Sequence, residues 1–437
     1  MKRIPRRCDV AIIGGGPAGS SAAALLARYG FDVVVLERAR HPRPMVGESL
    51  IPHFWKYTDL TGASAVIEAE GFIAKAGGIT VWDGEIRRIR FADFGFERPA
   101  LHVERDVFDH LLVQHARRCG AQVFEEVTVT DVIPGDEVRL RWRRRDGDET
   151  SEGTLRCRYL VDASGASSLV ARRFGRRRLA RSTHQFLSFW GYFEASGFID
   201  GEGRARAAEE LPRVRPVTFV LSYEDGWIWH IPLRRSTSVG LVIYRNRAGR
   251  LEGEARERYF LETCARVPYL RELLAPARFV PGSLRGRPDF SYHVTAVAED
   301  NLYCIGDAGG FVDPIFSHGV LNAFYGASLA ALAIRESFHD PARRRRYARL
   351  CAHRLHQFYS FSRALALGDV GVNGVDFELV KHFMHSVPRR ELELMLAASH
   401  LTHRTRHFRR LLRESGLMSL ESRLDDRTRP LAGLSFP

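Results

Sequence analysis

Lys75 sits in Phe72-Ile73-Ala74-Lys75-Ala76-Gly77-Gly78-Ile79-Thr80-Val81-Trp82, an otherwise apolar run that reads as a strand. Of the 65 basic residues, only Lys2, Lys56, Lys75 and Lys381 are lysine; the rest are arginine. A lysine kept in an apolar strand of such a chain points to amine chemistry. A desolvated lysine can lose its proton and act as donor or nucleophile, whereas arginine stays protonated. The alternative is a surface lysine at a strand end. A second group is Gly226-Trp227-Ile228-Trp229-His230-Ile231-Pro232. Alternate side chains of an extended segment share a face, so Trp227 and Trp229 would form one aromatic plate, and Pro232, with no N–H to give, would end the pairing. A plain sheet core is the other reading of that plate.

Phosphate chemistry is written at the N-terminus. The apolar run Cys8-Asp9-Val10-Ala11-Ile12-Ile13 enters Gly14-Gly15-Gly16-Pro17-Ala18-Gly19, followed by a small-residue helix from Ser20 to Arg28 and a strand from Phe31 to Leu36 that closes on Glu37. Gly14, Gly16 and Gly19 let the backbone approach a pyrophosphate at the helix N-terminus, and Glu37 suits a ribose hydroxyl. Four further segments follow in the order of the FAD-dependent monooxygenase superfamily and resemble it: Val46-Gly47-Glu48-Ser49-Leu50, His102-Val103-Glu104-Arg105, Tyr159 to Gly165, and Asn301 to Gly309. With the lysine strand, the Trp-x-Trp segment and Phe311-Val312-Asp313-Pro314-Ile315-Phe316-Ser317-His318-Gly319-Val320, the chain resembles the flavin-dependent halogenases. Phe316 stands where tryptophan halogenases carry glutamate, which places the resemblance in the phenol and pyrrole branch.

The resemblance implies a Rossmann-like FAD-binding domain of the p-hydroxybenzoate-hydroxylase type, an α/β fold with an interleaved β-sheet substrate layer and a helical C-terminal region. It implies that reduced FAD from a separate flavin reductase reacts with O2 to a C4a-hydroperoxide, and that chloride held by the amides of His318 and Gly319 is oxidised to hypochlorous acid. Lys75, with Ser317, then delivers the oxidant to a small aromatic substrate. Trp227, Trp229, Ile231, Pro232 and Phe316 would wall that substrate from the flavin. FAD itself would be held by Gly14, Gly16, Gly19, Glu37, Arg38, Glu48, Arg105, Asp307 and Pro314. A flavin hydroxylase or reductase of the same superfamily, and an FAD-binding partner protein without turnover, are the rival readings. Related hydroxylases share Asp313-Pro314, so that loop could also serve FAD alone.

These groups need two layers to position them. Cofactor segments are expected at residues 1–60, 100–180 and 285–335, the substrate sheet at 61–99 and 181–284, and a helical region over 336–437. Residues 134–156 read as a polar hairpin. With 437 residues and 45% hydrophobic content the composition is that of a globular enzyme, expected to be cytoplasmic, with no long apolar span for a membrane and no signal peptide. Six scattered cysteines show neither metal nor disulfide spacing. The formal charge of +13 comes with arginine runs at 172–178 and 343–346, read as solvated faces and not as a nucleic-acid surface. An acidic carrier protein bearing the substrate would suit that charge. His400, His403 and His407 share a helical face within Arg389 to Arg413, read as a basic surface and not as a metal site.

Overall fold

The strand Arg7–Ile13 is buried on both faces from Val10 onward, as a central parallel strand requires. In the computed structural model, which describes residues 3–94, 96–146, 149–179, 186–244, 253–288 and 290–367, it pairs in parallel with Val33–Leu36 on one side and Glu149–Asp162 on the other. Gln122–Phe124 and Leu302–Cys304 extend this sheet outward, the latter followed by antiparallel Ala298–Glu299. The result is the Rossmann-like cofactor layer expected from the sequence. Three local boundaries differ. The helix after the glycines starts at Pro17, since proline's fixed φ and missing N–H suit a first turn. Phe31 is not in the second strand; its amide closes the helix end on the Leu26 carbonyl and its ring packs on Phe338. The polar hairpin is present, but its second strand continues unbroken into Asp162.

A second sheet runs in the order Arg278–Phe279, Phe186–Glu194, Thr237–Tyr244, Gly226–Pro232, Val217–Tyr223, Gly77–Trp82 and Glu85–Arg90. One face, including Ile228, Phe219 and Leu241, packs with Phe260 and Leu270 of the helices Gly253–Arg266 and Pro268–Leu274. The opposite face presents Trp227, Trp229 and Ile231 with Phe290 and Ile315. Such alternation is what a strand covered on both sides produces.

The lysine run is not one strand. Ile73–Lys75 pairs with Ala100–His102 in a separate ribbon, and the chain crosses at Ala76 into the large sheet. Gly77 permits the crossing: a Cβ there would lie 1.9 Å from the Ile89 carbonyl oxygen. Helix His318–His339 packs along Pro17–Arg28, and a further helix, Arg344–Leu367, packs on it. The expected histidine face at 400, 403 and 407 lies outside the described residues. Among those residues no helix is long and apolar enough to cross a membrane.

The arginine runs are not simply solvated. Arg173 pairs with Asp131 at 2.9 Å and Arg176 with Glu299 at 2.5 Å; Arg177 stacks 3.8 Å over Tyr292, and Arg344 pairs with Asp300 at 2.5 Å. Acidic and aromatic groups from distant segments meet these side chains, which sequence proximity alone does not show.

Candidate active site

A cavity of about 1050 Å³ lies between the two sheets, its walls drawn from both. At one end is the glycine loop. Gly14 has φ +100°, and a Cβ there would meet the Ala163 oxygen at 2.4 Å; a Cβ on Gly19 would meet the Gly14 oxygen at 1.9 Å. Gly14, which also lines the cavity, lets the loop close on the end of strand Glu149–Asp162, and Gly19 lets the helix close on the loop. Gly16 differs: its Cβ would meet only Arg43 Nη2, at 3.5 Å, and it faces the cavity at the start of helix Pro17–Arg28. Glu37 Oε2 accepts from the Gly15 amide at 2.6 Å and Oε1 from Ala39 at 2.8 Å, which fixes the carboxylate against the loop. Arg43 Nη1 is buried without a hydrogen-bond partner, 3.6 Å from Asp109. A helix N-terminus, an open glycine and an under-used guanidinium fit a bound diphosphate.

On the other side of Asp109 the cavity wall is built on Arg105. Its Nε and Nη2 meet Asp109 at 2.8 and 3.1 Å, and Nη1 donates to the Val46 carbonyl at 2.7 Å. This pins the Val46-Gly47 turn, where Gly47 adopts φ +107°. Glu48, buried beside it, accepts from the Tyr192 hydroxyl at 2.8 Å, and burial raises its carboxyl above the ordinary range. Asp307 lines the same cavity, its carboxyl likewise raised by burial, with Arg287 at 3.9 Å. Arg38 completes the rim, donating to Ser167 Oγ at 3.2 Å. Asp313 is pushed up to about 7 by burial.

Trp227 and Trp229 share one wall, ring centroids 5.9 Å apart and planes 52° apart, so the plate is tilted and not flat. Trp229 lies across Gly240 on the neighbouring strand, where a Cβ would sit 2.1 Å from the indole. Pro232 is the last paired residue of its strand, opposite Thr237. Ser317, Gly319, Pro314 and Ile231 line the cavity; Pro232, Phe316, His318 and Gly19 do not. Ser317 is the left-handed N-cap (φ +58°) of helix His318–His339, so the His318 and Gly319 amides are among its free donors. The His318 ring turns to Ser362 and Phe358, and burial lowers it to about 4.

Lys75 is 3% exposed, which excludes the surface-lysine reading. Desolvation pulls its amine down to about 7. Its Nζ donates to Ser49 Oγ at 2.6 Å and to Thr218 Oγ1 at 3.1 Å. Those two hydroxyls line the cavity and Lys75 does not, so hydroxyls are what it meets on the cavity side. Ser317 Oγ donates to Ser49 at 2.8 Å, joining Lys75 to the helix cap through one atom. Thr218 and His102 are functional candidates that sequence reasoning left without a role, and Ser49 was visible only as part of the Val46–Leu50 segment. Nothing in local sequence marks Thr218.

A family profile described as FAD binding domain matches residues 7–323. The chain is similar to a tryptophan 2-halogenase of Chondromyces crocatus, 33% identical over 342 residues, covering 76% of this chain and 62% of that protein. It is similar to a flavin-dependent halogenase of Armillaria mellea, 32% identical, covering 77% of this chain and 68% of that one. It spans 62–68% of the length of the curated relatives it matches. Among solved structures, the myxobacterial chondrochloren halogenase CndH superposes with TM-score 0.77 at 28% identity, over 94% of this chain and 97% of that one. The flavin-dependent halogenase CmlS does so at 0.72 and 28%, over 89% and 72%.

Proposed function

The chain belongs to the FAD-binding-domain family, and within it to the flavin-dependent halogenases, and from that premise we propose an FADH2-dependent enzyme that chlorinates an electron-rich aromatic ring. The substrate class is a phenol or pyrrole, free or tethered to an acidic carrier protein. Bound FAD, kept reduced by a separate flavin reductase, supplies the activation of O2 that oxidises chloride. The chain's own residues do the rest. The His318 and Gly319 amides hold chloride at the start of a 22-residue helix. Trp227, Trp229 and Ile231, with Pro232 and Phe316 behind them, keep the aromatic ring off the cofactor. Lys75, beyond Ser49 and Thr218, takes up the electrophilic halogen and presents it at one ring carbon, which replaces diffusion of an indiscriminate oxidant by fixed geometry.

The observation that carries this reading is the buried lysine, near neutrality and one hydroxyl away from the Ser317 cap. Phe316, in the place of an acid, offers no carboxylate to steady a developing indole cation, which favours phenols and pyrroles over free tryptophan. The similarity to a protein named tryptophan 2-halogenase points the other way. Mass spectrometry of products from phenol, pyrrole and tryptophan, free and carrier-loaded, with reductase, chloride and O2, tests both. Chlorinated phenol or pyrrole is expected. Product carrying oxygen and no halogen would identify a hydroxylase, no turnover with FAD bound would identify a partner protein, and chlorination of tryptophan alone would overturn the substrate class.

A further inference from the structure

The hydroxyls around Lys75 have a direction that the structure fixes. His102 Nδ1 lies 3.0 Å from the Pro232 carbonyl, which can only accept, so that nitrogen carries the hydrogen. The ring is fully buried and held neutral, hence Nε2 is an acceptor, and Thr218 Oγ1, 2.9 Å away, donates to it. Thr218 has then spent its one hydrogen, so in its 2.8 Å contact with Ser49 it is Ser49 that donates. Each hydroxyl now gives one hydrogen bond and takes two: Ser49 from Lys75 and Ser317, Thr218 from Lys75 and Ser49. Neither has a hydrogen left for the lysine nitrogen.

We infer that His102 is a positioning residue for Lys75: by taking the Thr218 hydrogen it makes both neighbouring hydroxyls meet the amine with lone pairs alone, so the nitrogen's own lone pair stays uncapped and turned away from them. This rests on the proposed role of Lys75 and extends it to the residue that keeps the amine nucleophilic. Of the groups facing Lys75 among the described residues, His102 on the paired strand is the titratable one. The other sides present Ser49, Thr218 and the Phe91 ring, whose centroid is 5.4 Å from Nζ.

Only four lysines occur in the chain, so FAD-loaded protein grown on lysine labelled with ¹³C at Cε gives at most four signals, and loss of one in Lys75→Met assigns Lys75. Its titration midpoint is the readout, taken without turnover. Thr218→Val removes an acceptor from the ammonium and frees the Ser49 hydrogen to cap the amine; His102→Phe frees the Thr218 hydrogen to do the same. Each is expected to lower the midpoint by about one pH unit, a tenfold loss of proton affinity, while Thr218→Ser keeps the wild-type value. Unchanged midpoints in folded Thr218→Val and His102→Phe, or a Thr218→Ser shift as large as that of valine, would overturn the inference. Should His102→Phe fail to fold, His102→Leu, which likewise accepts nothing from Thr218, takes its place with the same expected shift. The halogenase reading fails separately, by absence of halogenated product from protein whose Lys75 titrates as described.

Discussion

Replacing Lys75 with methionine should abolish halogenation and at the same time stabilise the protein, by an amount that depends on pH. An unfolded chain holds this amine at the ordinary 10.5; burial at 3% exposure brings it to about 7 in the fold. The gap corresponds to about 5 kcal/mol of burden on the folded state wherever the side chain is protonated in both states. That burden is full below pH 7. Between 7 and 10.5 the unfolded chain binds more protons than the folded one, so wild-type stability climbs with pH, and the burden is gone above 10.5. Methionine keeps the volume and titrates nothing, and Ser49 and Thr218 remain bonded to each other. Its advantage over wild type should therefore shrink by about 3 kcal/mol between pH 6 and pH 9. Urea unfolding of the two FAD-loaded proteins at both pH values measures this, since titrating groups that do not face Lys75 cancel in the difference and His102, which does face it, is held neutral by burial. Parallel pH dependence would mean that Lys75 is solvated and ordinary, and would remove the physical ground for its reactivity.

Other substitutions separate the cofactor's grip from the chemistry. Lys75→Ala should bind FAD as wild type does, because Lys75 does not line the cavity, yet lose product by about three to four orders of magnitude, roughly 4–6 kcal/mol of transition-state stabilisation; Lys75→Arg should fail nearly as badly, and mass spectrometry beside flavin absorbance reads both. Gly16→Val should fold but purify without FAD, since its Cβ meets nothing closer than Arg43 at 3.5 Å and the branches enter the cavity; a full flavin spectrum would contradict this. Gly240→Ala forces the Trp229 indole off its neighbouring strand, and the expected result is FAD retention with loss of halogenated product, read by the same two assays.

The glycine loop was legible because its chemistry is local: strand, turn and helix follow one another within residues 7–28. Lys75 was legible through composition, since the scarcity of lysine made one in an apolar run conspicuous. Its surroundings were not. Ser49, His102 and Thr218 lie up to 169 positions apart and meet only through ladder pairing and one isolated bridge between Ser49 and His102. The break at Ala76 was hidden for a similar reason, because its cause is the Ile89 backbone pressed against Gly77. Phe316 and His318 show the limit of motif transfer. Their backbone places are at the helix start, but the two rings pack near each other, His318 also beside Phe358 and Ser362, and neither residue lines the cavity.

The crossing at Ala76 works as a ruler. Lys75 is fixed against Ala100 in one ribbon, and two residues later Gly77 is fixed against Val217, the neighbour of Thr218, in the other sheet. Backbone ladders on both sides of a single residue therefore set how far the amine stands from the cavity, with side-chain rotamers adding only the last step. Such a layout divides labour along the chain. Residues that line the cavity can be exchanged without altering the reach of the amine, whereas inserting or deleting one residue between 75 and 77 would shift one ladder against the other and put Lys75 on the wrong face. The lining of the cavity is free to drift in such a scaffold; the span between the cavity and the Lys75 nitrogen is not.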